Sequence, residues 1–315
     1  MKKKIKYTNE KIGKVEVVKD LLSKPEELVF KEDNVKAKKP EIIEVRYLFP
    51  QLYSELIKLL QNLSPDEWNY PTSSSKWTVK DIVAHLIDTD LRRISFQRDH
   101  LTPPTSDKPI ENNKQLVEYI NNLNNSWVEI SKRLSPGVLI DLLSYIKIEM
   151  PKMLNSLDMN GEALFAVSWA GEEKSKCWFD IAREYTEKWY HQQQIREALG
   201  KPLLSDEKWI YPLIDTLVRS LPYFYQNVFP DKINSIVLLV VKDISNGKWI
   251  LKKNNAWELF VGETSDYSAK VVMNADTAWR LFSKNISKEE AKKRITVEGD
   301  IDLGQAILEL ITGIK

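Results

Sequence analysis

The sequence holds few of the residues from which covalent or metal-rich scaffolds are built. Its 315 residues include a single cysteine, Cys177, and only three histidines, His85, His100 and His191. One cysteine excludes a disulfide framework within the chain, and its scarcity predicts a cytoplasmic, reducing location. Because histidine is so rare, each of the three can be weighed individually as a candidate ligand.

An excess of charge of one sign is also missing, as are long apolar runs. The 46 basic and 45 acidic side chains leave a formal charge of +1, which argues against a nucleic-acid partner. No apolar run approaches the roughly 18 residues of a membrane span, so no membrane partner is expected. The basic start of the chain is not followed by an apolar segment, so it does not predict a secretory signal. The composition, 43% hydrophobic and 29% charged, is that of an ordinary globular protein.

What the sequence does contain divides it into three regions. Residues 1–45 are highly charged and predict a loosely attached arm with a strand-like piece at Val15–Val18. Residues 46–204 show helical periodicity, and residues 205–315 alternate short strand-like and helical segments. The predicted fold is therefore a four-helix bundle followed by a small α+β domain with a mostly antiparallel sheet.

Start and stop signals place the helices of the second region. Thr78 is a good N-cap with Asp81 in capping-box position, which predicts a helix from there to about Asp99. Further helices are expected over about 48–60, 112–134 and 138–159, the last interrupted by Pro151. The final helix of the bundle should run over about 177–199, with Gly200 as its C-cap glycine.

The third region predicts strands over about 235–241, 248–252, 256–261 and 268–273. Asn246-Gly247 is a good turn for a hairpin between the first two strands. A helix is expected over about 209–221, others begin near 275 and 287, and a short strand-like stretch at 295–297 precedes a closing helix.

Two of the three histidines lie inside predicted helices, where they suggest a metal site. Glu187 and His191 are four residues apart, so both side chains leave the same face of the last bundle helix. His85, from another helix, would supply a third ligand across the core. Two histidines and one carboxylate with open positions form the pattern of a catalytic metal site. A Glu–His pair at this spacing also arises by chance on solvated helices, and His100 reads as a surface or capping residue.

Two helical segments resemble the signatures of a known family. The segment WTVKDIVAHL at 77–86 looks like the first signature of DinB-like metal-binding bundles, and is most similar to the N-terminal domain of mycothiol-dependent maleylpyruvate isomerases. The segment EYTEKWYHQQQIREALG at 184–200 resembles their second signature. The stretches NADTAWRL at 274–281 and VEGD at 297–300 resemble the sterol-carrier-like α+β domain that follows the bundle in those enzymes. The resemblance covers nearly everything after residue 45.

The resemblance implies a ligand set and a chemistry. In that family the histidine of the first signature and the glutamate and histidine of the second bind the metal, which here implies His85, Glu187 and His191. Zn²⁺ is the simplest choice of divalent metal, and Ni²⁺, Mn²⁺ and Fe²⁺ suit the same donors. The metal would activate a low-molecular-weight thiol for addition to an electrophile, as in an isomerase or an S-transferase. Such bundles often form dimers, so a homodimer is expected.

Four further residues are candidates for the site besides the metal ligands: Arg219, Arg92, Arg93 and Cys177. The related enzymes carry an arginine in the region of Arg219, which implies a guanidinium that binds a substrate or thiol carboxylate; the alternative is a surface arginine. Arg92 and Arg93 follow His85 on its helix and either face the pocket or are ordinary helix charges. Cys177 is a candidate nucleophile near a helix start, although a lone cysteine is more often buried filler.

Three classes of function stay open on the sequence. The Lys- and Asn-rich composition does not match the high-GC bacteria with which mycothiol is associated, so bacillithiol, glutathione or no thiol remain alternatives. Without a thiol, the same metal would activate water for hydrolysis. In the third class, the C-terminal domain binds a small apolar ligand without catalysis. The partners expected in the first class are a small-molecule substrate and a thiol.

Overall fold

A computed structural model describes residues 36–74, 76–106, 109–111 and 113–310 of the chain. The predicted strand at Val15–Val18 lies outside these residues. Within them, none of the helices combines the length and the apolar character needed to cross a membrane.

The first half of the described chain is helical, as predicted. Its helices are α1 (Phe49–Leu60), α2 (Val79–Arg93), α3 (Asn113–Ser131), α4 (Pro136–Ser156) and α5 (Cys177–Ala198). The α1 helix packs on α4, and α2 packs on α3, α4 and α5. Buried aliphatic and aromatic side chains from α1, α2, α4 and α5 form a common core, which explains why these amphipathic segments assemble as a bundle.

Local signals explain the limits of the two central helices. Thr78 Oγ1 accepts from the Asp81 amide while the Asp81 carboxylate accepts from the Thr78 amide, so the predicted capping box starts α2. The helix continues past Arg93 as a π-helical turn over Ile94–Arg98. At the end of α5, Gly200 takes the left-handed conformation at φ 60°, which confirms it as the residue that terminates the helix.

The predicted interruption of the fourth helix at Pro151 is wrong. The α4 helix runs through this proline without a break. Proline removes one backbone donor, but Met150, Met153 and Leu154 beside it are buried in the core. Packing of this apolar face compensates for the lost hydrogen bond.

The second half of the described chain forms the predicted α+β domain. Its helices are α6 (Glu207–Val218), α7 (Leu221–Val228), α8 (Ala275–Phe282), α9 (Lys288–Arg294) and α10 (Ile301–Gln305). Its strands are β2 (Ile236–Val241), β3 (Lys248–Lys253), β4 (Trp257–Glu263), β5 (Ala269–Met273) and β6 (Thr296–Gly299). The strand order is β1-β4-β3-β2-β5-β6, where β1 (Lys36–Lys38) comes from the N-terminal region. Each pairing is antiparallel except that of β2 with β5, which is parallel.

The end of the N-terminal arm is attached rather than loose. Residues Lys36–Lys38 form β1, which pairs with β4 and places Ala37 opposite Gly262. Ala37 then joins Leu238, Ile250 and Phe260 in a small apolar cluster on one side of the sheet. Without β1, the edge of β4 would leave backbone groups unpaired and an apolar surface exposed. Pairing with β1 supplies hydrogen-bond partners for the backbone groups and covers the apolar surface. The arm therefore belongs in part to the sheet of the second domain.

The helices of the second domain cover the other side of the sheet. The α6 helix packs on both α5 and α8, and Trp279 of α8 stands edge-to-face on Trp189 of α5 at 5.3 Å between ring centroids. One hydrophobic core therefore runs from the bundle to the sheet. The division into domains at 46–204 and 205–315 stays a prediction.

Candidate functional site

The fold brings together the three residues that the sequence predicts as metal ligands. His85 lies in α2, and Glu187 and His191 lie one turn apart in the neighbouring α5. The imidazole rings of His85 and His191 are 4.9 Å apart between centroids and nearly perpendicular. His191 Nε2 lies 3.5 Å from Glu187 Oε2. Two imidazoles and one carboxylate thus converge between two packed helices.

His85 has a free nitrogen in a buried position. Its Nδ1 atom has no hydrogen-bond partner among the described atoms, although the residue is only 8% exposed. Burial lowers the pKa of His85 well below its usual value, and the nearby His191, Lys188 and Arg92 lower it further. The imidazole is therefore neutral near pH 7, which is the form that binds metals.

Two aromatic side chains flank the imidazoles. The Trp77 ring lies 4.8 Å from the His85 ring and 6.5 Å from that of His191. The Tyr190 ring lies 5.5 Å from the His191 ring. Burial, together with the negative charge of Glu187, raises the pKa of Tyr190 to about 12, so its hydroxyl keeps its proton at neutral pH. One polar cluster is therefore bordered by two large apolar surfaces.

The residue types of the trio, two histidines and one carboxylate, are ones that bind divalent metals in other proteins. Ligands about 2.0–2.2 Å from a tetrahedral zinc are roughly 3.3–3.5 Å apart, and His191 Nε2 and Glu187 Oε2 are separated by 3.5 Å. The Nδ1 of His85, on the neighbouring helix α2, has no hydrogen-bond partner among the described residues. The three are not closed into a coordination shell, since no group of three or more His, Cys, Asp or Glu residues in the described part of the chain is arranged to hold a metal. The metal is therefore a proposal.

A buried ionic network lies beside the trio between the same two helices. Arg93 of α2 binds Asp180 through two hydrogen bonds of 2.9 and 3.0 Å, and contacts Glu184 at 3.0 Å. Lys188 bridges Glu184 at 3.1 Å and Asp90 at 3.0 Å. Burial would raise the pKa of Glu184, but Lys188 and Arg93 hold it well below its usual range.

Arg92 and Arg93 both make ion pairs in this structure. Arg93 is 3% exposed, and its guanidinium is paired with the carboxylates of Asp180 and Glu184. It is therefore not available to bind a ligand. Arg92 pairs with Asp88 at 2.8 Å and donates to Asn124 at 2.9 Å. Both arginines therefore tie α2 to its neighbours.

Arg219 lies at the end of α6. Its guanidinium contacts Asp215 at 2.8 Å and the carbonyl oxygen of Glu41 at 2.9 Å, and it lies 5.5 Å from the centroid of the Trp178 ring. None of the contacts found among the described residues joins Arg219 to His85, Glu187 or His191. Its predicted role in binding a carboxylate stays a prediction.

A second arginine of the C-terminal domain lies nearer to the site. Arg280 of α8 contacts Glu197 of α5 at 2.6 Å and Asp276 at 2.8 Å. Its positive charge lowers the pKa of Tyr190, the residue next to His191. The sequence does not reveal this contact of Arg280, because periodicity does not show which bundle helix α8 will meet.

Cys177 does not have the surroundings of an activated thiol. It begins α5 as predicted, but it is buried and burial raises the pKa of its thiol. His100 is exposed, with a left-handed backbone at φ 57°, in agreement with its prediction as a surface residue. Neither residue belongs to the cluster around His191.

A groove on the C-terminal domain is separate from the trio. It has a volume of about 540 Å³ and is lined by apolar side chains that include Phe224, Phe229 and Leu308 and by charged ones that include Lys288 and Lys292. None of its lining residues belongs to the trio. The third functional class, binding of an apolar ligand, stays a prediction.

Comparison with known proteins finds a family model that matches the helical region. Residues 49–196 match the family model described as the mycothiol maleylpyruvate isomerase N-terminal domain. Two crystal structures of mycothiol-dependent maleylpyruvate isomerase, one of them of a mutant, are each 12% identical in sequence to this chain. The matches cover 81% of this chain and 92% of each of those chains, with TM-scores of 0.49 for the mutant and 0.48 for the other structure. A UbiJ-SCP2 ubiquinone synthesis protein is 16% identical with a TM-score of 0.24, covering 35% of this chain and 93% of its own. No curated protein sequence matches the chain.

Proposed function

Residues 49–196 belong to the mycothiol maleylpyruvate isomerase N-terminal domain family, and from this premise we propose that the chain is a metal-dependent, thiol-using isomerase or S-transferase. The convergence of His85, Glu187 and His191 on two packed helices is the observation that carries the proposal. The substrate class is a small electrophile to which a low-molecular-weight thiol adds.

Two residues of the trio, His85 and Glu187, have roles that follow from their surroundings. His85 contributes a neutral imidazole, because burial disfavours its charged form. Glu187 contributes a negative charge that is partly open to solvent, since its side chain is 30% exposed. A divalent metal held by these donors would favour the deprotonated form of a bound thiol near neutral pH.

The surrounding side chains prepare the site for a small ligand. Trp77 and Tyr190 place aromatic surfaces beside the imidazoles and limit the access of water. Because Tyr190 keeps its proton, its hydroxyl can donate a hydrogen bond to an anionic group. A reactive electrophile would thus be shielded from competing hydrolysis.

Metal content is the first test of the proposal. Elemental mass spectrometry should find about one equivalent of Zn²⁺ or another divalent metal in the purified wild type, and a loss in the His85→Ala and His191→Ala variants. The His100→Asn variant is the matched control, because His100 is exposed and asparagine tolerates its left-handed backbone. A wild type that stays metal-free after reconstitution would contradict the proposal.

Thiol dependence separates the enzyme classes. The metal-loaded protein is assayed with maleylpyruvate and other small electrophiles in the presence of mycothiol, bacillithiol or glutathione. Turnover that requires one of these thiols supports the proposal, whereas turnover with water alone indicates a hydrolase. We also expect a cytoplasmic location and a homodimer.

Binding of an apolar ligand is the second candidate function, favoured by the groove beside Phe224, Phe229 and Leu308. Such binding should survive a chelator, because the groove shares no residue with the trio. A fluorescent fatty acid that binds equally well to wild type and His191→Ala would support it. An absence of binding would leave the trio as the functional centre.

A further inference from the structure

The side chain of Gln194 lies at the centre of a small hydrogen-bond network next to His191. Its Oε1 lies 2.7 Å from His191 Nδ1, and its Nε2 lies 3.2 Å from both Ser73 Oγ and Tyr190 Oη. Gln194 is 4% exposed, whereas Ser73 is exposed. In this arrangement the amide oxygen faces His191 and the amide nitrogen faces the two hydroxyls.

This orientation decides which nitrogen of His191 carries the proton. The Gln194 amide nitrogen can only donate, and it has two hydroxyl acceptors. The amide oxygen can only accept, so the partner atom His191 Nδ1 must donate its hydrogen. In the opposite tautomer, two lone pairs would face each other at 2.7 Å.

We propose that Gln194 is a positioning residue that holds His191 in its Nδ1–H tautomer. The unprotonated Nε2 then points to Glu187, 3.5 Å away, and is available as a ligand. The inference rests on the proposed metal site, because only a ligand role requires this tautomer. Partners on the distal nitrogen of a metal-binding histidine are known to fix the tautomer and the ring orientation.

The same side chain also connects the ligand helix to the loop before α2. Ser73 lies in a short turn closed by the bridge between Pro71 and Thr78 and by the bond from Thr72 N to Trp77 O at 3.1 Å. That turn carries Trp77 over both imidazoles. Gln194 therefore links the aromatic wall of the site to one of its ligands.

Three substitutions separate these contributions. Gln194→Met keeps much of the volume but removes the acceptor, Gln194→Glu keeps an acceptor for Nδ1–H, and Ser73→Ala removes only the bond to the loop. Removing such a distal partner typically lowers metal affinity by about 10–100-fold. We expect this loss in Gln194→Met, close to wild-type affinity in Gln194→Glu, and less than about a threefold loss in Ser73→Ala.

The direct readout is the tautomer of His191 in metal-free protein. Nitrogen-15 NMR of labelled histidine, recorded well above the ordinary imidazole pKa of about 6.5, distinguishes a protonated Nδ1 from a protonated Nε2. With three histidines in the chain, His85→Ala and His100→Asn suffice to assign the signals. A purely structural role of Gln194 would not move this signal.

The expected result is Nδ1–H at His191 in wild type, Gln194→Glu and Ser73→Ala, and a shift toward Nε2–H in Gln194→Met. Nε2–H in wild type, or an unchanged tautomer in folded Gln194→Met, would overturn the inference. The NMR experiment needs no metal, so its failure is distinguishable from failure of the proposed function. Circular dichroism of each variant verifies that it is folded.

Discussion

Two polar clusters lie between the same pair of helices and differ in how completely they are paired. In the ionic network, Arg93, Asp180, Glu184, Lys188 and Asp90 are all nearly inaccessible and contact opposite charges at about 3 Å, although the Asp90 oxygens lack a hydrogen bond among the described residues. In the candidate site, His85 keeps a nitrogen without a partner and Glu187 stays partly exposed. A cluster whose charges lie against opposite charges holds helices together, whereas one with an unpartnered donor atom and access to solvent can bind a ligand.

The two clusters also show how a small step along a helix changes the role of a side chain. Glu187 and Lys188 are neighbours in α5, but successive side chains on a helix diverge by about 100°. Lys188 therefore enters the buried network and Glu187 reaches His191. Both clusters contain carboxylates, so residue type does not distinguish them. They differ in how their charges are paired and in their access to solvent.

The largest expected effect comes from breaking the ionic network. Arg93→Met leaves the buried Asp180 without its main counter-charge and Glu184 with Lys188 alone, and the loss of one partner of a buried ion pair costs roughly 3–5 kcal/mol. Urea denaturation followed by circular dichroism should show this loss in the free energy of unfolding. His191→Ala is the comparison, because it removes a member of the open cluster and should cost clearly less.

A double variant isolates the electrostatic cause. Adding Asp180→Asn to Arg93→Met removes one uncompensated charge and should restore part of the stability. Equal losses in Arg93→Met and His191→Ala would contradict the distinction between the clusters.

The next largest effect is a pH dependence carried by Asp90. Burial raises its pKa to about 6 in the folded chain, above the ordinary value of about 3.9 for an unfolded aspartate. Between these values the folded state binds more protons than the unfolded state, so this contribution to stability decreases as pH rises from about 4 to 6. Two pKa units correspond to roughly 2–3 kcal/mol.

Asp90→Asn removes this contribution and isolates it by difference. The stability of wild type relative to the variant should decline as pH rises through that window. Glu184, whose pKa is lowered, acts in the opposite sense, since its stabilisation is present above about pH 4.3 and is lost on acidification. Glu184 is retained in both proteins and largely cancels, so a flat difference between pH 4 and 6 would contradict the assignment to Asp90.

Periodicity and capping predicted the elements that position the site. Thr78 and Asp81 start the helix of His85 as expected, and Gly200 ends that of His191. The ligand trio came from spacing and resemblance, and the fold brings its members together. The sequence did not predict Gln194, because a glutamine on a helix becomes informative only when its partners from a distant loop are known.

Other features depend on contacts that lie far apart in the sequence. The pairing of β1 with β4 joins residues more than 200 positions apart, so the charged arm was expected to be loose. The spacing of Asp180, Glu184 and Lys188 is an amphipathic helical signal, but a stripe of charges normally faces solvent. Only the packing of α2, which supplies Asp90 and Arg93, shows that this stripe is buried.

The smallest expected effect concerns Arg219, which the resemblance links to carboxylate binding and the structure links to Asp215, Glu41 and Trp178. Its half-buried ion pair and ring contact predict a loss of about 1 kcal/mol on Arg219→Ala. Asp215→Asn weakens the same pair but leaves the guanidinium in place, so it is the matched control for stability. If Arg219 also binds the substrate, kcat/KM should fall about tenfold or more in Arg219→Ala but not in Asp215→Asn. Equal kcat/KM in both folded variants would mean that Arg219 acts only by packing the C-terminal domain.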